Sequence, residues 1–335
     1  MKINSYKKAK IFVSGAIRVI AAVSAMFTTA SASAASNMVY VEDTPSLMNG
    51  GFTLGQAATI AEQASGFTSV TFAFLNICSK SSIGQTSCNA PTSSDGPVLM
   101  WNNQPVFLSD GATALQIAQA ISIINTLKTA GKQVFFSIGG ASNDSTWDYI
   151  NNSANTANAT TLLTNFYKTY TPTGFDLDWE MGSQGGFTGA ATIINGISGA
   201  QISIVPTSGS VANQYCNLYS NKTIPNVVNV QYYAGGYVQN VSEAISDNVK
   251  SINKKCDSKF SAENIIAGIA PTSTQVSSGT SNCNIDMTAS TPFSSCNTVI
   301  TSIKNSGVGG VFVWDYEIFP GPLMWATSVG AIIGN

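Results

Sequence analysis

Histidine is absent from this chain of 335 residues, and only 10% of its residues are charged. Without histidine, a Ser-His-Asp or Cys-His catalytic centre is excluded, and so is a histidine-ligated metal. The six cysteines include no Cys-x-x-Cys spacing, which argues against a zinc ribbon or a redox motif. We therefore expect no metal and no cofactor, and the carboxylates remain as the natural proton carriers.

The first part of the chain has the pattern of a secretory signal peptide. Several lysines precede an apolar stretch from Val19 to Phe27, and Ala32-Ser33-Ala34 offers a cleavage site. The apolar stretch is too short for a membrane anchor. We therefore predict that residues 1–34 are removed and that residues 35–335 form one secreted domain, extracellular or periplasmic.

Removal of the signal segment changes the charge balance of the chain. The segment carries five of the fifteen basic residues and none of the seventeen acidic ones, so the remaining chain has a net charge of about −7. We therefore do not expect nucleic acid as a partner, nor a membrane after cleavage. We expect a monomer.

Six cysteines in an exported chain are expected to form disulfides, although they allow fifteen pairings. The sequence does not choose among these pairings. Closure of the shortest loops, followed by elimination, would give Cys78–Cys88, Cys283–Cys296 and Cys216–Cys256.

Eight short runs of apolar, β-branched and aromatic residues predict strands. The runs are Met38–Val41, Ser69–Leu75, Gln133–Ile138, Gly174–Glu180, Gln201–Val205, Val227–Tyr233, Ile265–Ile269 and Gly309–Trp314. Eight apolar strands that alternate with helices predict an α/β fold with a single (β/α)8 TIM barrel. A doubly wound open sheet is the alternative, but no Gly-x-Gly-x-x-Gly follows the first strand.

Helical spacing separates most of these strands. The clearest helix runs from Leu115 to Leu127, and the segment between Val205 and Val227 shows only weak helical periodicity. Ser142–Thr161 is rich in Asn, Ser and Thr and is predicted to be a polar loop that leads into a helix. The other predicted helices lie near Leu54–Ala64, Thr160–Tyr170, Ala190–Ile197, Val241–Ile252, Asn297–Ser306 and Trp325–Ile333.

The run from Gly174 to Glu180 is the most informative motif in the sequence. Alternation along a strand places Asp176, Asp178 and Glu180 on one face, with apolar and aromatic residues on the other. Repulsion between three neighbouring carboxylates opposes ionisation of all three, so at least one is expected to hold a proton near neutral pH. A solvated acidic edge strand is the alternative, but it does not explain the large apolar residues between the acids.

Several unusual residues follow predicted strand ends, where TIM-barrel chemistry is located. We expect them to share one mouth of the barrel. They are Glu180, Tyr232, Tyr233, Trp314 and Asp315.

Four motifs together resemble the family 18 glycoside hydrolases, the secreted chitinases. The acidic motif Asp-x-x-Asp-x-Asp-x-Glu reads Thr173 to Glu180, and Ser-x-Gly-Gly reads Ser137 to Gly140. Gln231-Tyr232-Tyr233 is similar to the Gln-x-Tyr motif of hevamine-like members, and Trp314 matches the tryptophan of the eighth strand. Thr173 departs from the first Asp of the acidic motif, and Ala234 stands where the family usually has Asp or Asn.

The resemblance implies a role for each motif residue in a retaining hydrolase that cleaves between N-acetylglucosamine units. Glu180 would be the acid and base, Asp178 would orient the acetamido group, and Asp176 would share a proton with Asp178. Tyr233 would donate a hydrogen bond to the acetamido oxygen. The implied substrate-binding residues are Trp314, Gln231, Ser137, Gly139 and Gly140.

The resemblance leaves the substrate and the activity open. Chitin or its oligomers would be the partner of a chitinase, whereas an endo-β-N-acetylglucosaminidase would act on glycoprotein glycans. A non-hydrolytic chitin-binding lectin and an interaction protein of the xylanase-inhibitor type share the same barrel. Trp101 and Trp147 are either sugar platforms or core residues. The short interval between Ala270 and Gly309 leaves no space for an inserted α+β domain, so a shallow, open groove is expected.

Overall fold

The computed structural model describes residues 35–42, 52–62, 66–85, 87–92, 94–102, 104–108, 117–141, 143–233, 240–273, 283–316 and 321–334. The predicted signal peptide, residues 1–34, lies outside these ranges, as does Ala234. Cleavage after residue 34 therefore stays a prediction.

The described residues form twelve strands, of which eight build the barrel. The strands are β1 (Ser36–Glu42), β2 (Ser69–Ser79), β3 (Pro97–Trp101), β4 (Gln104–Leu108), β5 (Gln133–Gly139), β6 (Gly174–Asp178), β7 (Gln201–Ile204), β8 (Val227–Val230), β9 (Ile265–Ile269), β10 (Pro271–Ser273), β11 (Cys283–Ile285) and β12 (Gly310–Val313). In the order β1, β2, β5, β6, β7, β8, β9 and β12, each barrel strand pairs in parallel with the next. Because β1 also pairs with β12, the sheet closes on itself. The predicted TIM barrel is confirmed, and the alternative of an open sheet is wrong.

Nine α-helices lie within the described residues. They are α1 (Leu54–Ala61), α2 (Ile117–Thr129), α3 (Asp144–Asn151), α4 (Thr156–Tyr170), α5 (Gln184–Asn195), α6 (Val211–Ser220), α7 (Val241–Cys256), α8 (Ser294–Asn305) and α9 (Pro322–Ile333). The predicted polar loop over Ser142–Thr161 is wrong, because α3 and the start of α4 lie there. Trp147 and Ile150 of α3 are buried although most of their neighbours in the sequence are polar. Tertiary packing therefore outweighs the weak local pattern.

A β-hairpin that the sequence analysis did not predict extends the barrel. Strand β2 continues to Ser79 and pairs in antiparallel fashion with β3, which pairs with β4. Trp101 of β3 is 2% exposed, and its ring lies 4.6 Å from that of Phe136. Trp147 is fully buried as well. Of the two interpretations of these tryptophans, the core position is therefore confirmed.

Three disulfides join Cys78 with Cys88, Cys216 with Cys256, and Cys283 with Cys296. These are the pairings with the shortest loops, so that prediction is confirmed. The third disulfide lies between β9 and β12, where the described residues contain only the short strands β10 and β11 and helix α8.

Candidate active site

The three motif acids lie at the end of strand β6 and just beyond it. The strand ends at Asp178, so the predicted strand was two residues too long. Asp176 is 0% exposed and Asp178 is 3% exposed, whereas Glu180 is exposed. Phe175 and Leu177 are fully buried on the other face, as strand alternation predicts. The acids therefore run from the barrel interior to its surface.

Asp176 is held by hydrogen bonds from four barrel strands. Tyr40 Oη and Ser137 Oγ each lie 2.9 Å from Oδ2, and Asn229 Nδ2 lies 3.0 Å from Oδ1, which also accepts from Ser203 Oγ. Burial raises the pKa of the Asp176 carboxyl, although these hydrogen bonds oppose the shift. Asp176 thus joins β1, β5, β7 and β8 beneath the site.

Three of these donors, Tyr40, Ser203 and Asn229, were not predicted from the sequence. Asn229 is the single polar residue of strand β8, Ser203 is one of two polar residues of strand β7, and both are fully buried. A polar residue at an inward position of an apolar strand was the available signal, because buried polar groups need partners. The sequence alone does not reveal that all three converge on Asp176.

Asp178 is paired with Glu180. Burial raises the pKa of the Asp178 carboxyl well above its usual range, and the negative charges of Glu180 and Asp176 and a hydrogen bond with Glu180 raise it further. Gln231 Nε2 lies 3.2 Å from Asp178 Oδ1 and 3.3 Å from Glu180 Oε1. The expected sharing of a proton between Asp178 and Asp176 stays a prediction. In the structure the hydrogen bond of Asp178 is with Glu180, and four other side chains donate to Asp176.

A cavity of about 300 Å³ brings five of the predicted site residues together. They are Asp178, Glu180, Gln231, Tyr233 and Trp314. The Trp314 ring centroid lies 5.7 Å from the ring centroids of both Tyr40 and Phe74, so aromatic neighbours hold it in place. Burial, followed by the charge of Asp178, raises the pKa of the Tyr233 hydroxyl well above 10.0, so this group remains a proton donor.

Ser137, Gly139 and Gly140 lie behind this cavity. Ser137 is fully buried and donates to Asp176, and the Gly140 amide donates to the Asp178 carbonyl at 2.9 Å. The backbone φ angles of Gly139 and Gly140 are +104° and +83°, which L side chains rarely adopt. These residues therefore position β5 against β6, and their predicted role in substrate binding stays a prediction.

Gly140→Ala is expected to destabilise the fold by about 1–3 kcal/mol and to displace Phe74 from the cavity wall. A Cβ atom at Gly140 would lie 2.7 Å from the Phe74 ring. Gly84 is the matched control, because its φ is also positive, at +80°, but nothing lies within 4 Å of the added atom. Chemical denaturation of both variants would separate the contact with Phe74 from the backbone strain. Equal losses of stability would contradict the predicted contact.

Tyr232 and Asp315, which were expected at the shared mouth, do not line the cavity. Tyr232 is 0% exposed, and its hydroxyl accepts a hydrogen bond from Asn248 at 3.0 Å. Asp315 is 1% exposed and does not line the cavity itself, but its charge raises the pKa of Tyr233, which does. Glu42, which the sequence analysis did not select, does line the cavity, and burial and the charge of Asp315 raise the pKa of its carboxyl. Among the described residues, no group of three or more His, Cys, Asp or Glu is suited to hold a metal ion.

A protein-family model places this site in a known family. The model of "Glycosyl hydrolases family 18" matches residues 37–233, which include both partners of the carboxyl pair and Tyr233. The chain belongs to glycoside hydrolase family 18. The resemblance that the motifs predicted is therefore confirmed. A comparison with curated proteins found no match.

Solved structures of family 18 chitinases share the fold of this chain. The catalytic domain of a chitinase from the fern Peteris ryukyuensis is 17% identical, with 90% of this chain and 100% of that chain covered and a TM-score of 0.58. A chitinase from Pseudoalteromonas aurantia is 16% identical over 89% of this chain and 99% of that chain, with a TM-score of 0.55. A mutant chitinase domain from Ostrinia furnacalis, in complex with an N-acetylglucosamine oligomer, is 12% identical. The match covers 89% of this chain and 96% of that chain, with a TM-score of 0.56.

Proposed function

We propose that this family member is a secreted chitinase that hydrolyses β-1,4 bonds between N-acetylglucosamine units with retention, by substrate-assisted catalysis. The observation that carries the proposal is the Asp178–Glu180 pair, which shares a hydrogen bond within a cavity that Tyr233 and Trp314 also line. One carboxyl of the pair is buried and the other is exposed, so the two can take different roles.

The first step would use the proton that the pair shares. Glu180 would donate a proton to the glycosidic oxygen while the acetamido oxygen attacks the anomeric carbon, which breaks the glycosidic bond and forms an oxazolinium ion. Asp178 would supply this proton through the shared hydrogen bond, because the positive charge that develops favours its anionic form, so both carboxyls are anionic once the bond has broken. Asp178 would then accept a hydrogen bond from the acetamido N–H.

The second step would reverse the role of Glu180. Its carboxylate would take a proton from water while the water oxygen attacks the anomeric carbon and the oxazolinium ring opens. Two displacements at the same carbon leave its configuration unchanged, so the reaction would be retaining.

Tyr233 and Trp314 would hold the sugar during these steps. Trp314 would provide an apolar floor beneath the pyranose ring, and the Tyr233 hydroxyl would donate to the acetamido oxygen. Gln231 would keep its amide between Asp178 and Glu180, where it already donates to both.

Secretion is supported by the three disulfides, which are typical of exported proteins. In the part of the chain that the structure describes, no helix has both the length and the apolar character needed to cross a membrane. The Ostrinia furnacalis structure supports the choice of ligand, because that domain holds an N-acetylglucosamine oligomer on a similar barrel.

A time course of products from an N-acetylglucosamine hexamer tests the proposed function. Release of shorter N-acetylglucosamine oligomers from the hexamer and from chitin is expected. Glycan release from a high-mannose glycoprotein, with chitin left intact, would instead identify an endo-β-N-acetylglucosaminidase. Tight binding without any cleavage would identify a lectin.

Tyr233→Phe is expected to lower kcat about 10- to 100-fold, because a hydrogen bond to a group that becomes charged is lost. Tyr232→Phe is the matched control, since its neighbouring hydroxyl bonds to Asn248 within the fold rather than lining the cavity. Initial rates on the hexamer should fall for the first variant only. Equal rates for the two variants would remove Tyr233 from the mechanism.

A further inference from the structure

A carboxyl group that the proposed steps do not use also lines the cavity. Glu42 ends strand β1 and is half-buried at the cavity wall. Because side chains alternate along a strand, Glu42 lies on the same face of β1 as Tyr40, whose hydroxyl reaches Asp176 of β6 at 2.9 Å across the barrel interior. Strands β2 and β5 separate β1 from β6 in the barrel. Glu42 therefore lies one layer nearer the mouth than Tyr40, on the wall opposite Asp178.

Among the described residues, the charged side chains that line this cavity are all acidic. They are Glu42, Asp178 and Glu180. Residues 35–335 contain no arginine and no histidine, and none of their ten lysines, all of which the structure describes, lines the cavity. Burial, followed by the charge of Asp315, raises the pKa of the Glu42 carboxyl, so a bound cation would relieve the repulsion between these two acids. A cleft with one sign of charge favours ligands of the opposite sign.

The direction of the sugar chain determines which sugar faces Glu42. In the proposed function, the reacting sugar lies on Trp314 with its anomeric carbon at Glu180. Its 4-oxygen, which carries the preceding sugar, lies at the other end of the pyranose ring and is directed away from Glu180. The preceding sugar therefore lies beside the β1 wall and Glu42, on the side opposite the leaving group.

The geometry points to Glu42 as a specificity-determining residue that selects glucosamine, rather than N-acetylglucosamine, as the sugar that precedes the reacting one. The inference rests on the proposed function. Glucosamine carries a free 2-amino group, and its ammonium form would make a charge-assisted hydrogen bond with the Glu42 carboxylate, whereas an acetamido group is neutral. The reacting sugar has to keep its acetyl group, because its acetamido oxygen attacks the anomeric carbon. The preferred substrate is therefore a partially deacetylated chain.

The test compares two substrates that share one leaving group. They are nitrophenyl diacetylchitobioside and its analogue with glucosamine as the first sugar, both assayed at a pH below the pKa of the sugar amine. Glu42→Gln is expected to lower the ratio of kcat/KM for the glucosamine analogue to kcat/KM for the diacetylated substrate about threefold to fivefold. Glu62→Gln, at the exposed end of α1 and outside the cavity, is the control and should leave the ratio unchanged.

A fall in the ratio for Glu42→Gln alone supports the inference. An unchanged ratio overturns it, whether both rates stay the same or both fall together. Failure of the wild-type protein to cleave either nitrophenyl diacetylchitobioside or the N-acetylglucosamine hexamer would refute the proposed function itself, before any variant is compared.

The products of partially deacetylated chitin give a second measurement that needs no variant, and it decides the inference if Glu42→Gln does not fold. Mass spectrometry would identify the sugar next to each newly formed reducing end. The wild-type protein should place glucosamine there more often than its share of the whole chain. A frequency equal to or below that share would overturn the assignment of Glu42.

Discussion

Glu180→Gln is expected to lower kcat on N-acetylglucosamine oligomers about 10²- to 10⁴-fold, the usual contribution of a general acid and base. Glutamine keeps the shape of the side chain and a hydrogen-bonding group near Gln231, but it cannot donate or accept the catalytic proton. Because Glu180 is exposed, loss of its charge leaves no unpaired group in the core. Binding of the oligomer should therefore change by less than about threefold.

The control for Glu180→Gln is Glu263→Gln, which removes the charge of another exposed glutamate outside the cavity. Initial rates would be measured on the hexamer, and binding would be measured by calorimetry with the inactive variant. Turnover by Glu180→Gln at the wild-type rate would contradict its assignment as the proton donor.

Asp178→Asn is expected to lower kcat about 10²- to 10³-fold, because asparagine cannot become the anion that stabilises the oxazolinium ion. The same change is expected to stabilise the fold at neutral pH by about 1 kcal/mol, because residues that are kept for activity often lower the stability of the folded protein. Activity and stability should thus move in opposite directions at one residue.

The pH dependence of this stabilisation follows from the raised pKa of Asp178. The folded protein holds the Asp178 proton above the ordinary aspartate value of 3.8, whereas the unfolded chain releases it. The free energy of unfolding therefore falls as pH rises from that value through the higher pKa of the folded state. Asp178→Asn should remove this fall, so the two proteins should be similar in stability near pH 4 and differ most at neutral pH.

Thermal unfolding across that pH range would check the prediction for Asp178. Asp247→Asn is the control, because the Asp247 side chain is 58% exposed and its contact with Lys250 lies at the surface. A variant at Asp178 that is less stable than the wild type at neutral pH would show that the buried carboxyl is favourably paired as an anion.

The barrel and the central acids could be predicted from sequence because both depend on local patterns. Apolar runs mark the strands, and the alternation around Leu177 places Asp176 and Asp178 on one face. The motif up to Glu180 and the tyrosine at 233 also lie within short stretches of chain.

The remaining features depend on contacts between distant segments. Tyr40 and Asn229 are 189 residues apart, yet they share a hydrogen bond beside Asp176. Helix α3 has a weak apolar pattern and is held in place by the packing of Trp147. The ring centroids of Trp147 and Phe187 lie 6.2 Å apart. The pairing of Asp178 with Glu180 rather than with Asp176 likewise depends on which donors the other strands supply.

The anomeric configuration of the first product tests the central claim most directly. Proton NMR of hexamer hydrolysis, recorded before mutarotation, reports the configuration of each newly formed reducing end. Attack by the acetamido oxygen followed by water, with Glu180 as acid and then base, predicts that the β-anomer forms first. Initial formation of the α-anomer would show direct displacement by water and would contradict the mechanism built on the Asp178–Glu180 pair.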